Sequence, residues 1–252
     1  MSDIYTAPEA ELTETTTEGE YGSIEKALSG DYEFDIGSVL SEAWGRVSGN
    51  KLGYFLCSLV VTVILIGTVA ASEFLSLAIV GVLGGGWLSF VASLGINNVI
   101  LPLITTPLTI GFSFVGVYAA LGRPYSPSLL FAFYSKVVAI FLVYILVAIL
   151  TSIGFLLLII PGIYLAVAYS FSLMLIADKD MHIWEALETS RKAVTKRWFA
   201  IFGLLIVLVV AFLLSLLTLG IALIWIVPFI GIAYGITYRN IFGVESNTLA
   251  RS

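Results

Sequence analysis

Charge is scarce in this sequence, and its absences narrow the function classes before any motif is read. Only 12% of the 252 residues are Asp, Glu, Lys or Arg, about half of what a soluble domain carries. There is one cysteine, Cys57, and one histidine, His182. A single cysteine excludes an intramolecular disulfide and a cysteine metal cluster. Lying inside an apolar run, Cys57 reads as a small buried side chain rather than a reactive thiol. His182 lies beside Asp178 and Asp180, a weak ligand set that reads better as a solvated cytoplasmic loop capping the next helix. No histidine accompanies any serine of the apolar runs, so nucleophilic catalysis there is not expected. The first fifty residues are polar and acidic, with no cleavable signal peptide in view.

What is present is apolar. Hydrophobic residues make up 59% of the chain, and the mean hydropathy is +1.04. They fall in seven runs: 52–72, 74–95 (with Gly84-Gly85-Gly86 at its middle), 99–121 (with Pro102 and Pro107), 137–160, 162–177, 199–219 and 221–238. A run of 21 residues reaches about 31 Å as a helix, enough for the hydrocarbon core of a bilayer. The fold class expected is all-α: a polytopic transmembrane helical bundle.

Residues 1–35 carry ten acids against one base, Lys26, a net of −9. Such a composition predicts a disordered acidic tail. From residue 36 the balance reverses to eleven bases and seven acids, a net of +4. Ile36, Val39, Leu40, Ala43, Trp44 and Val47 follow helical spacing, with Ser41, Glu42, Arg46 and Ser48 off that face and Asp35 placed to cap it. A dozen residues are too short to span, so this segment is expected to lie in the interface.

Orientation follows from the bases. They lie before the first run, between the third and fourth, between the fifth and sixth, and after the seventh; the other junctions carry only Glu73. Six spans place every base in the cytoplasm, with both termini cytoplasmic and the run 74–95 broken, dipping in or lying on the outer side. Seven spans with the tail outside would strand Arg46 and Lys51, and this is the second reading.

A shift of 147 residues superposes Ile36, Leu40, Val47 and Phe55 on Ile183, Leu187, Val194 and Phe202. A weaker third copy opens at Ser126-Pro127. The membrane domain, 36–243, therefore reads as three pseudo-repeated modules (36–121, 126–178 and 183–239), each an amphipathic interfacial helix plus a hairpin. A short tail, 244–252, follows.

The stretch Leu157-Leu158-Ile159-Ile160-Pro161-Gly162-Ile163-Tyr164-Leu165 comes before Trp184-Glu185-Ala186-Leu187, Ser190, Trp198 and Phe202-Gly203-Leu204. Together these resemble uncharacterised bacterial six-span inner-membrane proteins. More remotely they are similar to the membrane domain fused to some glycerophosphodiester phosphodiesterases. The resemblance implies the inner membrane and a leaning toward phospholipid, with no agreed function and no catalytic domain.

No ionisable residue lies within a span, which argues against ion-coupled transport and voltage sensing. Hydroxyl residues within the runs (Thr105, Thr106, Thr109, Ser113, Thr151, Ser152, Tyr164, Tyr169, Ser170 and Ser172) read as packing or back-bonding groups before cavity lining. Arg191, Lys192, Lys196 and Arg197 are the candidate contact for anionic lipid or for the acidic tail. The bases are too few and too close to the bilayer for nucleic acid. The reading is a non-enzymatic membrane component without cofactor or metal. It binds membrane lipids and, through the acidic tail, a protein complex. The alternative is a transporter or channel for a neutral or amphiphilic solute.

Overall fold

The computed structural model describes residues 21–250, and every regular element among them is helical. Among these residues five helices are long and apolar enough to cross a membrane: Ile36–Leu83, Trp87–Leu121, Pro127–Leu157, Ile159–Lys179 and Trp198–Leu216.

The first departure from the sequence reading is at the N-terminus. Residues 21–35 are not free tail. Helix α1 (Ile24–Ser29) is capped by Ser23 and ended by Gly30, and it buries Ala27 completely. Beyond it the Tyr32 hydroxyl donates to Ala193 O at 2.8 Å. The acids of this stretch face outward while Ile24, Ala27, Tyr32 and Phe34 supply an apolar side, so net charge alone misjudged it. Residues 1–20 lie outside the described part of the chain.

Helix α2 (Ile36–Leu83) starts where Asp35 Oδ2 accepts from Ser38 N at 2.6 Å, as its sequence foretold. It then runs unbroken for 48 residues, about 72 Å. The amphipathic segment 36–47 is thus the first turns of a spanning helix, not a separate interfacial one. Nothing between Val47 and Leu52 breaks a helix, and the Asn50 side chain bonds back to Arg46 O instead of competing with the ladder. The helix also passes through Glu73, where a separate crossing by 74–95 would need a turn. The turn comes at Gly84–Gly86, with Gly84 at φ +75°, a backbone that disfavours any side chain.

The run 74–95 is broken there, its two halves belonging to different helices. Helix α3 (Trp87–Gly95) passes through a π-helical turn (Ile96–Ile100) into α4 (Leu101–Leu121). Pro102 accounts for the wide turn, because its ring would clash with the carbonyl of Asn98 in a regular α-turn.

Two 3₁₀ turns, Pro127–Phe131 and Tyr134–Lys136, lead into α5 (Val137–Leu157) and α6 (Ile159–Ala168). After a break at Tyr169–Phe171 come α7 (Ser172–Lys179), α8 (Ile183–Lys196), α9 (Trp198–Leu216), α10 (Leu223–Phe242) and α11 (Ser246–Leu249). Helices α2 and α8 begin on the superposed isoleucines, Ile36 and Ile183. The segment opening at Ser126-Pro127, expected to be an amphipathic α-helix, is 3₁₀ instead. The last residues described also pack: Thr248 is buried, so the C-terminal tail is folded against the bundle as far as α11.

The core sits where α2, α4 and α10 meet. Gly116 of α4 faces Gly231 and Gly235 of α10 so closely that a Cβ on Gly116 would collide with the Gly231 carbonyl. Gly231 in turn leaves room for the Tyr54 ring. Small residues four apart let helix backbones approach in this way. Cys57 is buried beside this seam, as expected of a small apolar side chain.

Candidate functional site

Polar contacts join the ends of most helices into one junction. Arg239, near the end of α10, is 4% exposed. Its Nη1 and Nη2 donate to Glu42 Oε1 and Oε2 at 3.0 and 2.8 Å, and Nη1 also donates to Ala120 O at 2.8 Å. Nε donates to Asn240 Oδ1 at 3.0 Å, and the Tyr21 ring lies 4.4 Å from Cζ. Arg46 adds a second cation to Glu42 at 3.0 Å. This is the fork geometry of guanidinium on carboxylate, and it ties α2, α4 and α10 together.

Asp178 forms the other half. It is buried in α7 and accepts from the Tyr238 hydroxyl at 2.8 Å and from Glu245 N at 3.2 Å. Lys179 lies between it and Glu245, 2.9 Å from Glu245 Oε1. The Tyr118 hydroxyl donates to Thr248 O at 2.7 Å, and Lys136 reaches Ala177 O at 2.7 Å and Asp180 Oδ1 at 2.5 Å. The buried groups around Asp178 and Arg239 are satisfied by one another, and the chemistry they perform is to hold helix ends in register.

Asp178, Asp180 and His182, neighbours in the sequence, are not brought together. Asp178 points inward, Asp180 is exposed, and His182 is the N-cap of α8, its N donating to Glu185 Oε2 at 3.4 Å. Among the described residues no group of three His, Cys, Asp or Glu side chains is placed to hold a metal ion.

The four bases named from the sequence lie along the last turns of α8 and just after it. The helix buries Ala186, Leu187, Ser190, Ala193 and Val194, leaving the opposite side to solvent. Sequence reasoning passed over Glu188. Arg191 donates to it twice, at 2.9 and 2.7 Å, and Lys192 lies 3.3 Å away. The hydrogen bonds from Arg191, helped by Lys192, hold the Glu188 carboxyl down at about 2. Two of the four cations therefore share one anion.

Lys196 and Arg197 are exposed beyond it. The N-terminal segment docks at this end of α8: the Lys196 stem passes over Gly30, and Tyr32 bonds to Ala193. Burial pushes the Tyr32 phenol up to about 12, against the opposing charge of Arg197. Tyr164 and Trp198 close the end of the helix, with the Tyr164 hydroxyl 2.8 Å from Thr195 Oγ1.

The hydroxyls of α4 bond back to their own helix: Thr105 to Leu101 O, Thr106 to Pro102 O, Thr109 to Thr106 O and Ser113 to Thr109 O. The break at Tyr169–Phe171 differs. Its freed carbonyls are met from other helices, Ala168 O by Ser190 Oγ at 2.8 Å and Ser170 O by the Tyr234 hydroxyl at 2.5 Å. The Oγ atoms of Ser170 and Ser172 are buried without a hydrogen-bond partner among the described residues.

A groove of about 440 Å³ opens between the start of α5 and the α7–α8 connection, with Lys136 and Asp180 at one end and Val138, Leu142 and Ile183 in its wall. The chain matches no protein-family profile, no curated protein and no solved structure. The protein is thus defined by its fold alone, as a multi-pass helical membrane protein.

Proposed function

We propose that this is a six-span inner-membrane protein, built as three modules, that binds membrane lipid and a protein partner and carries out no catalysis. The observation that carries the lipid reading is α8. An amphipathic helix seated on the bundle presents Arg191, Lys192, Lys196 and Arg197 on its solvent side, with an aromatic pair at its end. A base near an anionic leaflet contributes about 1 kcal/mol. Because Glu188 already occupies Arg191 and Lys192, the pair Lys196 and Arg197, without an ion-pair partner among the described residues, carries the larger share. Lys196→Gln with Arg197→Gln should weaken retention of phosphatidylglycerol by roughly 30-fold. Arg191→Gln with Lys192→Gln should weaken it several-fold less. Native mass spectrometry of the detergent-purified protein reads both, and equal retention by all three proteins rejects the assignment.

The resemblance carried by residues 157–165 and 184–204 points the same way, toward phospholipid. The protein-partner reading rests on residues 1–20, whose six acids and no bases precede the docked segment beside Lys196.

Six spans are supported by the junction. The starts of α2 and α5 and the ends of α4, α7 and α10 share one set of contacts through Glu42, Lys136, Ala120, Asp178 and Arg239. On this reading helix α10 (Leu223–Phe242) is the sixth span and returns to the side from which α2 sets out. In a Cys57→Ser background, Ser126→Cys and Ser2→Cys should react with an impermeant maleimide only from the cytoplasm, and Gly85→Cys only from outside. Outside labelling at Ser2 with cytoplasmic labelling at Ser126 would establish seven spans.

The transporter reading is favoured by one observation, the broken α6–α7 helix with its two unpartnered serine hydroxyls. Irregular backbone at membrane depth is tolerated where protein or a cavity covers it.

A further inference from the structure

The groove beside α5 joins two kinds of surface. At one end Lys136, its side chain only 16% exposed, is held between Ala177 O and Asp180, whose own side chain is 74% exposed. Next to it along α5, Val138 and Leu142 line the groove, 65% and 43% exposed on a helix apolar enough to cross a membrane. The volume, about 440 Å³, falls in the range of small-molecule sites. A charged end continuous with a lipid-facing wall has the layout of an amphiphile with its head at Lys136 and its chain against α5.

We infer that this groove takes a phospholipid bearing a primary ammonium, its phosphate on Lys136 and its ammonium on Asp180. The inference rests on the lipid-binding reading above and names the lipid class. The reason is charge pairing. A phosphate that takes Lys136 leaves Asp180 without its cation. A lipid that brings its own ammonium replaces one ion pair by two, and its N–H groups give Asp180 charge-assisted hydrogen bonds. A phosphatidylglycerol brings no cation and sets its phosphate near an unpaired carboxylate, which repels it. A quaternary ammonium restores the charge but not the hydrogen bonds. Ala177 O meanwhile holds the Lys136 ammonium at the end of α7, beside Asp180, whichever anion it meets.

The test titrates short-chain phosphatidylethanolamine and phosphatidylglycerol into the full chain, purified in mild detergent and stripped of lipid. Native mass spectrometry counts the bound copies. To isolate the groove, the titration is done on Lys196→Gln/Arg197→Gln protein, where the α8 site is weakened. The ethanolamine lipid should bind about fivefold tighter, the size of one partly exposed ion pair.

Asp180→Asn added to this background is the deciding variant. Asp180 has φ +52°, a left-handed conformation that asparagine adopts readily, so the turn is kept while the anion is lost. Asp180→Gly suits the same backbone and serves as a second variant. Both should lose the preference or reverse it toward phosphatidylglycerol. An ethanolamine preference that survives in both variants overturns the groove assignment. So does wild-type lipid retention that depends only on the bases of α8, an outcome that leaves the general lipid reading standing. Failure of both lipids to bind wild type overturns both.

Discussion

Gly116→Val should lower the thermal midpoint of the detergent-solubilised protein by roughly 10 °C, the shift expected for a loss of about 3 kcal/mol in a chain of this size. The added side chain begins with a Cβ that would collide with the Gly231 carbonyl, a backbone atom that no rotamer change can move. Helices α4 and α10 would have to separate, and the Tyr54 ring, which fits over Gly231, would lose its seat. Gly67 is the control, because a Cβ there meets nothing within 4 Å. Gly67→Val should shift the midpoint by no more than about 3 °C, the effect of helix propensity alone. The measurement is fluorescence-detected size-exclusion after heating. Equal shifts for the two variants would show that the glycine seam does not set the packing of α4 against α10.

Much of this architecture was legible in the sequence for one reason: apolar runs of about 20 residues have few alternatives to spanning helices. The cap at Asp35, the break at Gly84–Gly86, the burial of Cys57 and the back-bonded threonines of α4 all followed from local chemistry. What periodicity does not encode is continuity. Residues 36–47 have the pattern of an interfacial helix whether or not the helix goes on, and only the absence of a breaker before Leu52 decides it. The N-terminal boundary failed for a related reason. Averaging charge over 1–35 hid the apolar side formed by Ile24, Ala27, Tyr32 and Phe34.

The junction was harder to see, since its partners are far apart in the chain: Glu42 and Arg239 are separated by 197 residues, Asp178 and Tyr238 by 60. Their rarity was the available signal. Past residue 35 there are only seven acids. An acid retained in so apolar a body needs a cation or a donor, and Glu42 and Asp178 have both. Glu188 shows the same logic on the surface: at i−3 and i−4 from two bases, it was bound to take up part of their charge.

Arg239→Met should cost about 2–3 kcal/mol, less than the largest losses seen when a buried pair is broken. Glu42 is one-third exposed and keeps Arg46 as a partner, so its charge is not wholly abandoned. The loss combines a carboxylate left with Arg46 alone and the contacts Arg239 makes elsewhere, chiefly to the Ala120 carbonyl, and a double-mutant cycle separates them. Glu42→Gln alone removes the charge attraction while leaving a hydrogen-bond acceptor for Arg239. Combined with Arg239→Met it removes the stranded anion, so the double variant should be more stable than the two single losses added together, by about 1–2 kcal/mol. What remains in the double variant reports the carbonyl at Ala120 and the Tyr21 contact. Because the same arginine ties the end of α10 to the start of α2, Arg239→Met should also loosen the N-terminal segment. Faster proteolysis between Gly22 and Asp35, with the rest of the bundle unchanged, would register it. Strict additivity of the two substitutions, or an unchanged proteolytic pattern, would mean that Glu42 and Arg239 are neighbours without holding the helix ends together.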